Sequence, residues 1–580
     1  GTIAPIYLVG SPVMAPSSSP WRCVVLAILA WVSCPAFPAF APRTRTQRQV
    51  LNRPWIPWQG TLSSPQDRGV NVAPQRDAWE EFMAAMVGAP DGPSLLSLNE
   101  YEQRVSEVQV QMRQLSADGE KQVTLDQSGN AASLFGHGRL EYHQKHGRLD
   151  IAKLSGVIAF DSATGVVRVA AKTDFKTLTR FLLPRGFIPP VVPEVDTVTV
   201  GGAISGLVME SSSFRYGFVH NAVTSMDVLL ANGTVVHCSR TLHPELFSAL
   251  PHSYGTLGYV LSASLQAVRA EQDVLVKIRE FASVEKAVDA MSVAMEDPGV
   301  DFVDGIIYGE DRAMAISASM VPKKAKQDDV DMLSKVVLPD DGRFIDILGK
   351  KLEEGSTGED VFFRMSTFDY LYRWDCDIFW STRRVEMLGK PEVRGFLGRA
   401  FLRSKILWQF GRRARDAKEF VSHLAWQVLG GQGAVDLGFR PPTERIIQDL
   451  GVRLDQVPSF AKGLKAHGEL PFWMCPVRVV PGEQPLFPLP DVAHIMDVAC
   501  FGAVPCGGLE ELHHNKGIDR WLAKFDGQKA FYSDVTFSRE YLYEKYDGAK
   551  YDQLKVELDP HGVLPHLFDK VLTAEPGHEA

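Results

Sequence analysis

The stretch PEVDTVTVGGAISG, residues 193–206, decides how this chain is read. An apolar run stops at a proline-rich turn, and Gly201, Gly202 and, four residues on, Gly206 follow. Glycines set this closely leave backbone bare for something to approach. Their GGxxxG spacing is not the GxGxxG of a dinucleotide-binding turn, and no strand-then-helix unit of that kind surrounds them, which excludes a Rossmann reading. Successive glycine N–H groups can form a nest for phosphate, although a structural turn would use the same residues.

The neighbouring segments sharpen the phosphate reading. ESSSFRYG (210–217) places Ser211, Ser212, Ser213 and Gly217 just after the first loop, and HSYGTLGYV (252–260) places Gly255, Thr256 and Gly258 just before a strand. Hydroxyls and bare backbone in two loops suit a pyrophosphate and its ribose. Between them, VTSMDVLLANGTVVHC (223–238) reads as a hairpin. Asn232-Gly233 predicts a type I′ turn there, and the turn explains these residues better than an N-glycosylation sequon does. GVIAF and VVRVAA flank DSATG as a second hairpin closed by Gly165. TDFKTLTRFLL puts Phe175, Leu178, Phe181 and Leu182 on one helix face, ended by Pro184. YVLSASLQAV alternates as a half-buried strand, and helical spacing marks Glu100 to Leu115 through Val105, Val108, Val110 and Met112. KKAKQDDVD (323–331) reads as a solvated loop.

The bulk numbers bound the function. With 580 residues, 45% hydrophobic and 23% charged, the chain has room for a large core and two to four domains. A net charge of −9 argues against a nucleic-acid partner. The seven cysteines form no CxxC pair, so neither a disulfide framework nor a zinc site is expected. Cys500 and Cys506 with His513 and His514 fit no tight chelate by spacing, and no metal is assigned.

No Asp or Glu precedes Asp67. A short apolar core from Cys23 to Cys34 sits between Arg22 and an exit of small residues and prolines, followed by Arg43, Arg45 and Arg48. That pattern predicts a signal-like presequence, too short to span a bilayer comfortably. It resembles the two-part plastid presequences of algae, and an uncleaved anchor on the endoplasmic reticulum is the competing expectation.

Taken in order and spacing, PEVDTVTVGGAISG, ESSSFRYGFV, LLANGTVVHC and YGTLGYV resemble the FAD-binding domain of PCMH-type (vanillyl-alcohol-oxidase-like) flavoproteins. Within these, the chain is most similar to the delta-24-sterol reductase (Diminuto/Dwarf) group. LPFWMCP (470–476), IMDVACFG (495–502) and FYSDVTFSREYLYEKYDG (531–548) carry the resemblance into the second half. It implies an α+β fold, in which a PCMH-type FAD-binding domain of two α+β subdomains is covered by a cap domain with an antiparallel sheet. The expected divisions are a presequence (1–50), a linker (51–95), the FAD-binding domain (96–270), the cap or substrate domain (271–556) and a C-terminal segment (557–580). By match, Thr199, Gly201, Gly202, Gly206, Ser211, Ser212, Ser213, Gly217, Gly255, Thr256 and Gly258 would lie along FAD. The family's first phosphate loop has an Arg-Pro-Gly element where this chain has DQSGNAASLFGHG (126–138). His137 is out of register for a flavin tether, so non-covalent FAD is expected. RWDCDIFW (373–380) departs from the animal enzymes, which bears on the substrate more than on the reaction.

The resemblance implies NADPH as electron donor and a sterol or related lipid as substrate; the apolar N-terminal segment, separately, makes membrane association an expectation. Reducing an isolated alkene needs a proton donor besides the flavin hydride. The candidates are Tyr372, Asp375, Asp377, Asp497, Tyr532 and Asp534. Asp497 is the sharpest, because a carboxylate in the apolar run HIMDVACFG is costly unless it is partnered or functional. Tyr532 and Asp534 would share one strand face, and Asp375 and Asp377 could simply pair with Arg373. The aromatics of WDCDIFW could line a flat pocket or fill core. An oxidase or dehydrogenase of another alcohol or lipid, and a flavin-free binding relative, are the competing functions.

Overall fold

The structure, a computed structural model, describes residues 95–117, 122–126, 147–322, 344–354, 358–375, 442–482, 485–507 and 509–573. The presequence, Asp377, His137 and the charge run 323–331 lie outside them, as does nearly all of the segment 126–138.

Helix α1 (Leu98–Ala117) opens the described chain and buries Tyr101, Val108 and Met112, whereas Val110, expected on that face, is half exposed. Strands β1 (Val123–Leu125) and β2 (Gly147–Leu149) form a short parallel pair. A five-stranded antiparallel sheet follows, built from β3 (Val157–Asp161), β4 (Val166–Ala170), β6 (Val223–Leu229), β7 (Val235–Ser239) and β8 (Tyr259–Gln266), in the order β3-β4-β8-β6-β7. The expected hairpin at Gly165 is β3–β4, with Gly165 at φ 77°. Asn232-Gly233 does join β6 to β7, but only Gly233 has positive φ. Its N–H donates to Leu230 O at 2.9 Å and Leu230 N–H to Thr234 O at 2.8 Å, so the turn is type I with a glycine bulge and not type I′. Strand β8 is not half-buried. It runs through the middle of the sheet, and Tyr259 to Ala263 are all covered.

Helix α2 (Phe175–Leu182) packs its predicted face inward, and Asp174 caps it by accepting the Thr177 N–H. A two-stranded edge, β5 (Phe187–Ile188) with β9 (Val268–Arg269), leads to the second half. The GGxxxG stretch is itself a short helix, α3 (Val200–Gly206), followed by α4 (Ser213–Tyr216).

The second sheet has eight strands in the order β13-β10-β12-β11-β15-β16-β14-β17. They are β10 (Asp273–Phe281), β11 (Phe302–Gly309), β12 (Arg312–Val321), β13 (Val361–Ser366), β14 (Thr443–Arg453), β15 (Phe472–Arg478), β16 (His494–Pro505) and β17 (Gln528–Lys529). Successive side chains point to opposite faces, and this alternation sorts the two cores. Val303, Ile446, Leu450, Phe472, Met474, Met496 and Val498 pack under α5 (Val284–Glu296), α7 (Val457–Leu464) and α8 (His513–Ala523). Ile306, Ile447, Trp473, Cys475, Ile495 and Ala499 point the other way and join the core that contains α2 and α3. Helix α6 (Thr367–Leu371) and the residues after it close that side.

Gly201 fixes where α3 starts. Its N–H donates to Ala171 O at 2.8 Å, and a Cβ there would stand 2.9 Å from the Ala171 Cβ. Gly201→Ala should therefore destabilise the fold by about 1–3 kcal/mol in a urea titration. A loss under about 0.5 kcal/mol would show that α3 can shift freely against β4.

Candidate active site

The closely set glycines do two different jobs. Gly201 is needed by packing on Ala171, Gly258 (φ 159°) by its approach to Val228 and the Leu229 carbonyl, and Gly255 and Gly217 by φ values of 74° and 73°. Gly202 and Gly206 are not demanded in this way. Among the described residues, a Cβ on Gly206 would meet only the Tyr254 ring, at 4.0 Å, and one on Gly202 only the hydroxyl of its own helix cap, Thr199, at 3.0 Å. Residues four apart share a helix face, so α3 presents a stripe of backbone without side chains. The N–H groups of Val200 and Gly201 are already bonded to Thr173 and Ala171, and Gly202 N–H points to Thr199 Oγ1 at 3.3 Å. The stripe thus offers shape more than free donors.

The serine run beyond it is a structural knot. Ser212 Oγ donates to Pro190 O at 2.7 Å, Ser213 Oγ accepts the Glu210 N–H at 2.9 Å, and Ser211 O accepts the Val303 N–H at 2.7 Å. These bonds pin the segment after α3 onto β11. Facing Gly206 is the second glycine loop, where His252 and Tyr254 hold φ of 65° and 51°. Non-glycine residues there store strain that the surroundings must hold in place. Tyr254 uses that position well: its hydroxyl contacts Gly206 O at 3.4 Å and accepts the Phe531 N–H at 2.6 Å.

Tyr532, next in the chain, donates its hydroxyl to Asp449 Oδ2. Asp449 is on β14 and Asp497 on β16, on the same sheet face, with Gly451 directly across from Asp497 and Ala499 across from Asp449. Cys475 lies directly opposite Asp497 from β15. Asp497 is 1% exposed, and its Oδ2 has no hydrogen-bond partner. Burial pushes its carboxyl well above the usual range, the neighbouring Asp449 pushes it further, and a hydrogen bond from the Leu450 N–H offsets this only in part. Burial likewise raises Asp449. Asp497 is buried and Asp449 partly exposed, and two interacting carboxyls so placed favour holding a proton between them.

Glu210 stands beside this pair and is pushed up to about 8, chiefly by burial, with Arg373 pulling the other way. Arg373 is spent on Asp304, at 2.8 Å, both side chains being fully buried, and Trp473 Nε1 donates to the same oxygen at 3.0 Å. Burial holds Glu210, Asp449 and Asp497 above the usual carboxylate range, and the guanidinium, bonded to Asp304, offsets this in part at Glu210.

The structure therefore brings Gly206, Tyr532 and Asp497 into one neighbourhood. Tyr372 does not join them: it is buried against α2, with its hydroxyl donating to Thr179 Oγ1 at 3.0 Å. Tyr532 and Asp534 do not alternate along a strand, because residues 531–534 are turn and loop. Asp534 enters instead through its carbonyl, which accepts from Lys529 Nζ at 2.6 Å and Gln448 Nε2 at 3.1 Å. Asp375 is not Arg373's partner, since its Oδ1 accepts the Asp196 N–H at 3.0 Å. Trp374 is fully buried and packs edge-on against Phe344 at 4.9 Å, which is core packing. Sequence reading missed Asp449, Glu210 and Tyr254. For Asp449 the signal was present: it is a lone acid in the apolar run RIIQDLGV, as Asp497 is in its own.

Comparison with known proteins defines the class first. Residues 108–239 match the FAD binding domain family. The chain is similar over 481 residues to the Delta(24)-sterol reductase of Homo sapiens, at 24% identity, covering 82% of this chain and 87% of that protein. Similarity to the Delta(24)-sterol reductase homolog dhcr-24 of Caenorhabditis elegans is 21% over 502 residues, or 82% and 88% of the two chains. A putative D-arabinono-1,4-lactone oxidase of Neurospora crassa is 31% identical over 122 residues, 21% of this chain and 22% of that protein. The chain is an α+β FAD-dependent oxidoreductase. Within that class it resembles the delta-24-sterol reductases along most of its length.

The residues present fit FAD. The stripe at Gly202 and Gly206 has room for a long ligand against bare backbone. In the same loop, Glu194 is 2% exposed with both carboxylate oxygens unpartnered, and Thr197 Oγ1 is buried without a partner. A ligand rich in hydroxyl and N–H groups would satisfy such atoms.

Because Glu210, Asp449 and Asp497 are raised in the folded state, the native protein binds more protons than the unfolded chain between about pH 4 and 8. Stability must therefore fall as pH rises through that window. Asp497→Asn removes one titrating group, so urea titrations at about pH 5.5 and 8.5 should show a smaller loss in the variant. Equal losses would mean that Asp497 is ionised throughout.

Proposed function

We propose that this enzyme reduces a side-chain carbon–carbon double bond of a sterol, using NADPH as electron donor, with Asp497 supplying the proton. The observation that carries the reading is the placement of the buried Asp497 beside Asp449 on one sheet face, linked through Tyr532, Phe531 and Tyr254 to Gly206. The names borne by its relatives support the choice of substrate.

In this reading FAD lies non-covalently along Thr199, Gly201, Gly202 and Gly206. Ser211, Ser212, Ser213 and Gly217 shape one wall, and Gly255, Thr256 and Gly258 the other. FAD held there would supply the hydride-transfer chemistry, with NADPH as its source of electrons. An isolated alkene has no carbonyl to polarise, so the proton at the second carbon must come from a placed acid. Asp497 holds that proton in a dry site, and Tyr532 fixes the orientation of Asp449 beside it. Membrane association and delivery to the endoplasmic reticulum or a plastid belong to the same proposal, and rest on residues outside the described ones. Among the described residues, no helix is long and apolar enough to cross a membrane.

An anaerobic visible spectrum of the full chain tests this. NADPH should bleach a flavin band, and a delta-24 sterol should restore it. A band that NADPH leaves unchanged, or that only oxygen restores, would move the assignment to an oxidase, and no band at all would leave a binding protein. Asp497→Asn should bleach normally with NADPH but restore about 10²–10⁴-fold more slowly with sterol, the usual scale for a lost proton donor. Gly206→Val should leave stability near wild type and weaken FAD retention, read as flavin-to-protein absorbance after gel filtration.

A further inference from the structure

On the face of the eight-stranded sheet opposite the acid pair, histidines from two distant stretches meet. His467 follows the end of α7, and His513 and His514 begin α8. One nitrogen from each of the three rings lies within 4.8 Å of the others. We propose that His467, His513 and His514 bind a single first-row transition-metal dication such as Zn²⁺, apart from the flavin.

Three features support this. His514 is 7% exposed, and its Nε2 contacts Pro505 O at 3.1 Å. A carbonyl only accepts, so Nε2 carries the proton and the lone pair falls on Nδ1. That Nδ1 is buried and without a hydrogen-bond partner, as is Nδ1 of His467. Metal-ligating histidines are ordinarily held in this way, one ring nitrogen bonded to a carbonyl and the other facing the ion.

Second, the fold makes room for the ring. A Cβ on Gly517 would stand 2.3 Å from His467 Cε1, so any side chain there would expel the imidazole from α8. Gly517 lies one helical turn beyond His513, on the same face. Third, the positive end of α8 is neutralised: Glu444 accepts the N–H groups of His514 and Asn515, at 2.9 and 2.7 Å. Glu510 adds a second carboxylate, 3.7 Å from His513 Nδ1, while Lys516 is tied to Glu510 at 3.1 Å.

The chemistry selects the ion. Imidazole suits zinc, copper, iron and nickel, whereas magnesium and calcium want oxygen. Zinc–nitrogen bonds of about 2.0–2.1 Å set tetrahedral ligands roughly 3.4 Å apart. The present spacing closes to that by side-chain rotation of His467 and His513, both only partly buried. Three histidines leave a fourth position for water. Bound metal would tie the loop after α7 to the first turn of α8, clamping two helices that cover the outer face of the sheet.

The test uses untagged full-length protein. After equilibration with ZnCl₂ and desalting, elemental analysis should find about one zinc per chain. His467→Gln and His513→Gln should each weaken zinc binding by more than the roughly 10–100-fold that loss of an outer-shell partner costs. Co²⁺ should give tetrahedral visible bands in wild type and lose them in either variant. Zinc should raise the melting temperature of wild type alone, and an unchanged far-ultraviolet dichroism spectrum in the variants would show that they fold. Zinc retention no higher in wild type than in the double variant would overturn the proposal.

Discussion

Four carboxyls, of Glu210, Asp304, Asp449 and Asp497, share one region with the guanidinium of Arg373, all of them buried except the partly exposed Asp449, and how that charge is distributed shapes the rest of the site. Asp304 holds the guanidinium at 2.8 Å and takes a second bond from Trp473. Charge left unpaired in such a place is expensive, so the remaining acids retain protons. The guanidinium offsets the burial of Glu210 only in part. The pair is weak evidence for stability, because a buried ion pair often does no better than an apolar replacement. Its consequence lies in the acid–base state of the neighbouring strands.

The same region joins the two halves of the described chain. Glu210 and Ser211 follow α3, yet Ser211 O bonds to the first turn of β11, and Tyr254 reaches Phe531. The bare stripe on α3 and the acid pair on β14 and β16 are thereby held in register by a few short hydrogen bonds and by a strained loop at His252 and Tyr254. Strain kept at such a point fits a site that must be rigid before its ligand arrives.

Much of the local structure was legible in the sequence. The β3–β4 hairpin and helix α2 with its face follow from periodicity and punctuation, whereas the GGxxxG stretch, expected as a loop, is the helix α3. Asp497 stood out because an acid in an apolar strand needs a reason. Asp449 carries the same signature and was overlooked, since its importance comes from strand pairing: β14 lies beside β16, a register fixed by residues about 50 positions apart. Tyr372 looked equally plausible but was claimed by Thr179, a tertiary contact that no local pattern announces. Tyr532 and Asp534 looked like strand neighbours, and the turn at residues 531–534 sends their polar groups to different partners. The histidine cluster shows the same limit, because His467 meets His513 and His514 only through the packing of α7 on α8.

The central claim is that the Asp449–Asp497 pair is protonated at neutral pH, and infrared spectroscopy reads this directly. In the difference spectrum between wild type and Asp497→Asn at neutral pH, the account predicts a carboxylic-acid carbonyl band in wild type that is lost in the variant and shifts in D₂O. A difference spectrum showing only carboxylate stretches would mean that Asp497 is ionised, and it could not then serve as the proton donor.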